Sequence, residues 1–251
     1  MSTKTSIEWT ELSWNPTTGC TKISPGCKNC YAEVMACRLK AMGVKGYENG
    51  FELTLQPFRL EEPLMRKKPS MYFVNSMSDL FHEDIPDSYI EKVITIIKKS
   101  PNHIFQILTK RAERMCSYFK NKDIPDNAWL GVSVEDKKYG LPRIEWLRNL
   151  SSPVKFASME PLLEDLGKMD LSDIDWIIIG GESGPKARPM KMEWVLNIKT
   201  QCAIQGSHFF FKQWGQWGAD GVKRTKKSNG RLLLGRTWDD LPQRNNFKIA
   251  V

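Results

Sequence analysis

Short apolar runs recur along the chain, separated by stretches in which apolar positions fall three and four residues apart. Met71–Asn75 (MYFVN), Ile104–Thr109 (IFQILT), Trp129–Val134 (WLGVSV), Val154–Ser158 (VKFAS), Trp176–Ile179 (WIII) and His208–Phe211 (HFFF) read as strands. Several are too continuously apolar to be edge strands, the pattern of strands covered on both faces in a parallel sheet. Between them, Tyr31–Met42, Ser88–Lys99, Ala112–Phe119, Leu141–Leu150 and Trp194–Gln205 carry helical spacing, and Ile90, Val93, Ile94 and Ile97 share one face of the second. Alternation of this kind predicts an α/β fold with a parallel sheet. A partial (β/α) barrel of about six units is the first expectation, and a doubly wound sheet the other.

Both architectures put chemistry at the C-terminal ends of the strands. Polar clusters stand there in this chain: Asn75–Asp79, Thr109-Lys110-Arg111, Ser133–Asp136, Met159-Glu160-Pro161 and Gly180-Gly181-Glu182-Ser183. Residues 1–212 are assigned to the barrel. From 213 to 251 the pattern changes to glycines, tryptophans and the run Lys223-Arg224-Thr225-Lys226-Lys227, which predicts a small basic C-terminal extension or lid. Basic residues among aromatics suit a phosphate backbone and stacked bases. A hairpin with a solvated turn at Lys226–Gly230 explains the run equally well.

Composition narrows the class. A chain of 251 residues, 41% of them hydrophobic, suffices for one large domain without covalent staples. No segment reaches the roughly 18 apolar residues of a membrane span. The start, Met1–Glu11, is polar without a signal core, and six cysteines are too few for a disulfide scaffold. These features predict a reducing cytoplasm and a monomer, where clustered cysteines mean metal or redox chemistry. The formal charge of +8 favours a polyanionic partner, nucleic acid first.

Cys20, Cys27 and Cys30 have the spacing C-x6-C-x2-C in a loop ahead of a helix. Three readings compete. A structural zinc site needs a fourth ligand. Cys37 lies two helical turns past Cys30, and His82, His103 and His208 lack zinc-finger spacing. A four-cysteine electron carrier needs a distant Cys116 or Cys202 as its fourth ligand. A cubane cluster on three cysteines leaves one iron open for a substrate or cosubstrate, and three cysteines in one loop favour it.

A three-cysteine loop ahead of a strand–helix series resembles the radical S-adenosylmethionine (SAM) superfamily. The first interval is longer than in its commonest spacing, C-x3-C-x2-C. The series VNSMSDLFHEDIP, ILTKR, GVSVED, ASMEPL and IIGGESGP, from Val74 to Pro185, is similar in order to the spore photoproduct lyase-like branch and to small phage-encoded relatives. The resemblance implies a [4Fe-4S] cluster on Cys20, Cys27 and Cys30, with SAM bound at the open iron and cleaved to a 5′-deoxyadenosyl radical. It implies an electron donor such as a flavodoxin or ferredoxin. It places Ser76, Ser78 and Asp79 at the SAM amine, Lys110 at the SAM carboxylate, and Ser133 and Glu135 near the ribose. Tyr31 stands beside the last cysteine as an adenine contact. Glu182, with Ser183, is read as lining the pocket.

Lys186 and Arg188, with Lys223, Arg224, Lys226 and Lys227, are the expected phosphate contacts. Cys116 and Cys202 are candidate hydrogen donors, or else small buried hydrophobes. The expected activity is a radical SAM lyase repairing a DNA lesion. Modification of a small molecule, peptide or tRNA base is the alternative, and a non-enzymatic, metal-containing nucleic-acid-binding protein is a second.

Overall fold

The structure is a computed structural model and describes residues 3–242, so 243–251 of the expected extension lie outside the described residues. Ten strands alternate with six helices: β1 (Thr3–Lys4), β2 (Leu12–Trp14), β3 (Thr17–Thr18), α1 (Tyr31–Ala41), β4 (Thr54–Leu55), β5 (Met71–Val74), α2 (Asp87–Lys98), β6 (Ile104–Thr109), α3 (Ala112–Phe119), β7 (Ala128–Ser133), α4 (Leu141–Arg148), β8 (Val154–Met159), β9 (Trp176–Gly180), α5 (Met192–Gln205), β10 (His208–Gln213) and α6 (Lys226–Asn229). The main sheet runs β1-β2-β5-β6-β7-β8-β9-β10. Seven of its strands, β2 and β5 to β10, are parallel, and β1 pairs antiparallel at one edge. Thr17–Thr18 and Thr54–Leu55 form a separate small pair.

Strand order follows chain order without reversal, so no switch point exists and the doubly wound alternative is excluded. The sheet curls into a partial barrel. Ile90, Val93, Ile97, Met115, Leu147 and Val195 of the helices pack on its convex face in one apolar core. A second core fills the concave side with Trp9, Phe73, Trp129, Phe156, Trp176 and Phe210. Trp9 touches both flanks: its ring lies 4.6 Å from Phe73 on β5 and 6.2 Å from Trp176 on β9. Buried Gln106 fixes that segment by donating to the Trp9 carbonyl at 3.2 Å. Gly131 on β7 makes room for this core, since a Cβ there would stand 2.4 Å from the Phe156 ring.

The segment after β10 covers the outer edge of the sheet. Phe211 N–H donates to the Trp238 carbonyl at 2.9 Å, and Trp214 and Leu233 are buried in the convex-side core. A capped edge is closed to pairing with other chains. Where the hairpin turn was one expectation, residues 226–229 form a short helix capped by the Thr225 hydroxyl, which accepts from Ser228 N–H. Among the described residues no helix is long and apolar enough to cross a membrane.

Two glycines let this segment cross the end of β9. A Cβ on Gly181 would lie 1.9 Å from the Trp214 carbonyl oxygen, and one on Gly215 (φ +80°) would lie 2.3 Å from the Glu182 carbonyl oxygen. Backbone meets backbone, so no side-chain rotation relieves the contact. Gly181→Ala is expected to destabilise the chain by more than about 4 kcal/mol. Urea unfolding checks this, and a loss under about 1 kcal/mol would show that the crossing yields easily.

Candidate functional site

Cys20 follows β3, and its N–H donates to the Phe51 carbonyl at 3.2 Å. The loop then runs through a single 3-10 turn, Pro25–Cys27, to Cys30, which precedes the first residue of α1. All three cysteines are free and half-buried. Their loop is hydrogen-bonded to residues at the C-terminal ends of four strands.

After β5, the Ser76 carbonyl accepts from the Tyr31 hydroxyl at 2.5 Å, and buried His82 pairs with Thr21 Oγ1 at 2.8 Å. After β6, Arg111 donates to Cys20 Sγ at 3.5 Å and to Thr21 Oγ1 at 2.8 Å. After β7, Glu135 accepts a short bond from the Ser24 hydroxyl, and Gly26 lies so close that a Cβ would stand 2.8 Å from Glu135 Cγ. After β9, Glu182 accepts from Asn29 Nδ2 at 3.1 Å, and Arg188 donates to the Pro25 carbonyl at 3.0 Å.

Two carboxylates are part of this seat. Glu135 is fully buried and paired with Arg143 at 2.7 Å. Burial alone would raise its pKa, but Lys110, Arg143 and the Ser24 hydroxyl hold it below the ordinary carboxylate value. Glu182 is likewise lowered against its burial by Arg188 and Asn29, with the Arg188 guanidinium at 2.5 and 2.9 Å and its N–H at 2.8 Å. As a free thiol, Cys20 is pushed up to about 11 by burial and then by Asp79, against the opposing pull of Arg111.

The structure redistributes several expected roles. Asp79 is buried and its carboxylate already accepts four bonds, from Phe81 N–H (3.0 Å), Thr109 Oγ1 (2.7 Å), Lys110 N–H (3.0 Å) and Arg111 Nη1 (3.2 Å). One of these bonds fixes the direction of the Arg111 guanidinium. Ser78 is tied to Thr17 and Asn75, and Ser76 exchanges bonds with Asn15. Both knit the segment before Cys20 to the end of β5. Tyr31 is 58% exposed at the mouth. Lys110 is half-buried, and Ser133 is buried with its carbonyl accepting from Arg143 at 2.7 Å.

Cys116 and Cys202 do not reach the mouth. Cys202 lies in the convex-side core, and Cys116 packs against it while donating to the Trp146 carbonyl at 2.9 Å. Burial raises both thiols, to about 12 and about 11. The sheet separates that layer from the concave side, so the structure does not bring these two thiols to the cysteine loop.

The basic residues are partly engaged. Arg224 pairs with Asp220 at 2.6 Å, Lys226 with Glu8 at 3.1 Å, and Arg188 with Glu182. Lys223 donates to the Pro185 carbonyl at 2.7 Å and Trp217 to the Ala187 carbonyl at 2.7 Å, which holds this part of the chain beside the loop. Lys186 and Lys227 are exposed.

Arg111, Ser24, Asn29 and Arg143 are parts of the seat that the sequence pattern does not mark. The same holds for the Glu160–Lys212 pair at 3.0 Å, in which Ser158 donates to Glu160 at 3.0 Å. The strand-end position of Arg111 and Glu160 was the available signal; the choice between adjacent Lys110 and Arg111 needed side-chain direction. A cavity of about 330 Å³ lies at the opposite end of the barrel, among Trp9, Met71, Ile104, Phe210 and Arg231.

A partial parallel barrel with a three-cysteine loop seated at its C-terminal mouth is thus the class of molecule that fold and site define. The chain belongs to the family described as "Protein of unknown function (DUF5131)", whose model matches residues 4–242. No curated protein matches it. Solved structures of similar fold include a spore photoproduct lyase variant with bound AdoMet and dinucleoside spore photoproduct, at 13% identity and TM-score 0.46, covering 72% of this chain and 58% of that one. A second variant of the same lyase aligns at 13% identity and TM-score 0.47, with the same coverage. A third, with dinucleoside spore photoproduct, aligns at 12% identity and TM-score 0.45 over 82% of this chain and 64% of that one. The chain therefore spans less than two thirds of each of these structures.

Proposed function

We propose that this chain is a radical SAM enzyme acting on nucleic acid, with DNA favoured, and that it repairs a lesion by a lyase reaction. The observation that carries the reading is the seating of Cys20, Cys27 and Cys30 in one loop hydrogen-bonded to four strand ends. The resemblance of the Val74–Pro185 series to the spore photoproduct lyase-like branch supports it.

The donor set fits an iron–sulfur cluster. Among the described residues no three His, Cys, Asp or Glu side chains gather as ligands of one metal ion. A cluster asks for less convergence, since each thiolate holds its own iron. Three soft, free, half-buried thiols supply that, with one iron left over for SAM. Bound there, the cluster would supply the electron that cleaves SAM to methionine and a 5′-deoxyadenosyl radical, drawn from a donor of the flavodoxin or ferredoxin kind.

The chain's own residues do the positioning. Glu135 and Glu182 hold the loop against the mouth from two sides. Lys110 offers a cation to the SAM carboxylate from the end of β6. The aromatic floor of Trp129, Phe156 and Trp176 closes the barrel below and keeps water out. Lys186, Lys223 and Lys227, with Trp217, offer phosphate contacts and a stacking surface beside the mouth.

The test pairs DNA binding with SAM cleavage. Binding to UV-irradiated DNA is expected to weaken steeply with salt, and replacing Lys186, Lys223 and Lys227 by Ala together is expected to flatten that dependence by about 2 to 3 in log–log slope. SAM cleavage without DNA is expected to survive the substitutions. Salt-independent or absent DNA binding beside intact SAM cleavage would instead support modification of a small molecule or peptide.

A further inference from the structure

Arg111 lies with its side chain 7% exposed between two carboxylates. Its Nε donates a short bond to Glu83, and its Nη1 meets Asp79 at 3.2 Å. The two acids fix the plane of the guanidinium from opposite sides. Asp79 is itself held by Thr109 Oγ1 and by the N–H groups of Phe81 and Lys110, so the clamp does not rotate freely. What the fork has left points at the cysteine loop: Nη1 reaches Cys20 Sγ at 3.5 Å, and Nη2 reaches Thr21 Oγ1 at 2.8 Å and the Thr21 carbonyl at 3.4 Å. A guanidinium keeps its charge at any pH a protein tolerates. The sulfur of Cys20 thus faces a permanent, oriented N–H donor.

We infer that Arg111 is a positioning residue that sets the reduction potential of the metal centre on Cys20, by donating a hydrogen bond to that sulfur. The inference rests on the reading of Cys20 as a cluster ligand. Hydrogen bonds to ligating sulfurs are among the levers that tune cluster potentials. Adding one electron puts negative charge on the sulfurs, so a fixed donor favours the reduced form. Asp79 and Glu83 balance the arginine's charge at longer range, which leaves the directional N–H contact as the local effect. An ammonium in place of the fork keeps the charge but cannot meet Asp79, Glu83, Cys20 and Thr21 together.

The experiment is a redox titration of the reconstituted full chain, wild type against Arg111→Lys, followed by electron paramagnetic resonance. Dithionite supplies one electron per centre, with no bond made or broken. At a fixed poise the ratio of reduced to oxidised cluster is expected to be about tenfold lower in the variant, about 59 mV for one electron. Equal potentials in two folded, iron-loaded proteins would overturn the inference. A second measurement needs no substitution. Wild-type protein labelled with ¹⁵N-arginine is expected to show a nitrogen coupling in the pulsed spectrum of the reduced centre, and its absence would also overturn the inference. A wild-type chain that takes up no cluster overturns the reading of the cysteines and this inference with it. A normal cluster insensitive to Arg111 overturns the inference alone.

Discussion

Serine in place of Cys20, Cys27 or Cys30 is expected to reduce SAM cleavage to background and to remove most of the bound iron, while the fold persists. The three thiols are half-buried and lie in a loop, so each exchange is expected to cost less than about 1 kcal/mol in stability. An oxygen ligand is a poor substitute for a soft thiolate in an iron–sulfur centre. The separation of effects is the point: unfolding temperature nearly unchanged, iron and activity lost. Cys37→Ser is the internal control, because Cys37 is exposed on α1 and outside the loop. Iron analysis and 5′-deoxyadenosine production on the four variants check it. Equal losses in all four, or iron retained in the three loop variants, would contradict the assignment.

The second large effect is on stability. Glu135→Gln is expected to cost about 3 to 5 kcal/mol at neutral pH, because it leaves Arg143 buried without its counter-charge. The cysteine loop is expected to loosen too, as Ser24 loses a charged acceptor. The pH dependence has a definite sign. The folded-state pKa of Glu135 is depressed, so its contribution is present above the unfolded value, near about 4.3, and is lost as pH falls through the folded value. The gap between wild type and Glu135→Gln should therefore narrow on acidification below about pH 4. Urea unfolding at neutral and acidic pH measures both. A gap that widens on acidification would mean that the fold raises the pKa of Glu135 above its unfolded value instead of lowering it.

Much of the barrel was legible because buried parallel strands announce themselves as continuous apolar runs. All six expected strands are present, with ends moved by a residue or two. β2 was not legible: Leu12–Trp14 is too short to show a period, and only its pairing with β1 and β5 makes it a strand. The cysteines were legible from spacing alone. Their supports were not, since each spans a long separation in the chain: Asn29 with Glu182, Ser24 with Glu135, Arg111 with Cys20.

Asp79 shows the limit most clearly. A carboxylate at a strand end reads as a free acceptor in sequence, and only the fold brings four donors to it. Gly180-Gly181 is a similar case. Gly180 packs against Glu160 and Gly181 admits the crossing backbone at Trp214. The glycine requirement is met by packing, while Glu182 still reaches the cysteine loop.

The most direct measurement is anaerobic reconstitution with iron and sulfide, followed by dithionite and SAM. A brown protein with about four irons per chain that releases 5′-deoxyadenosine and methionine is expected. Stoichiometric zinc with no SAM cleavage would contradict it.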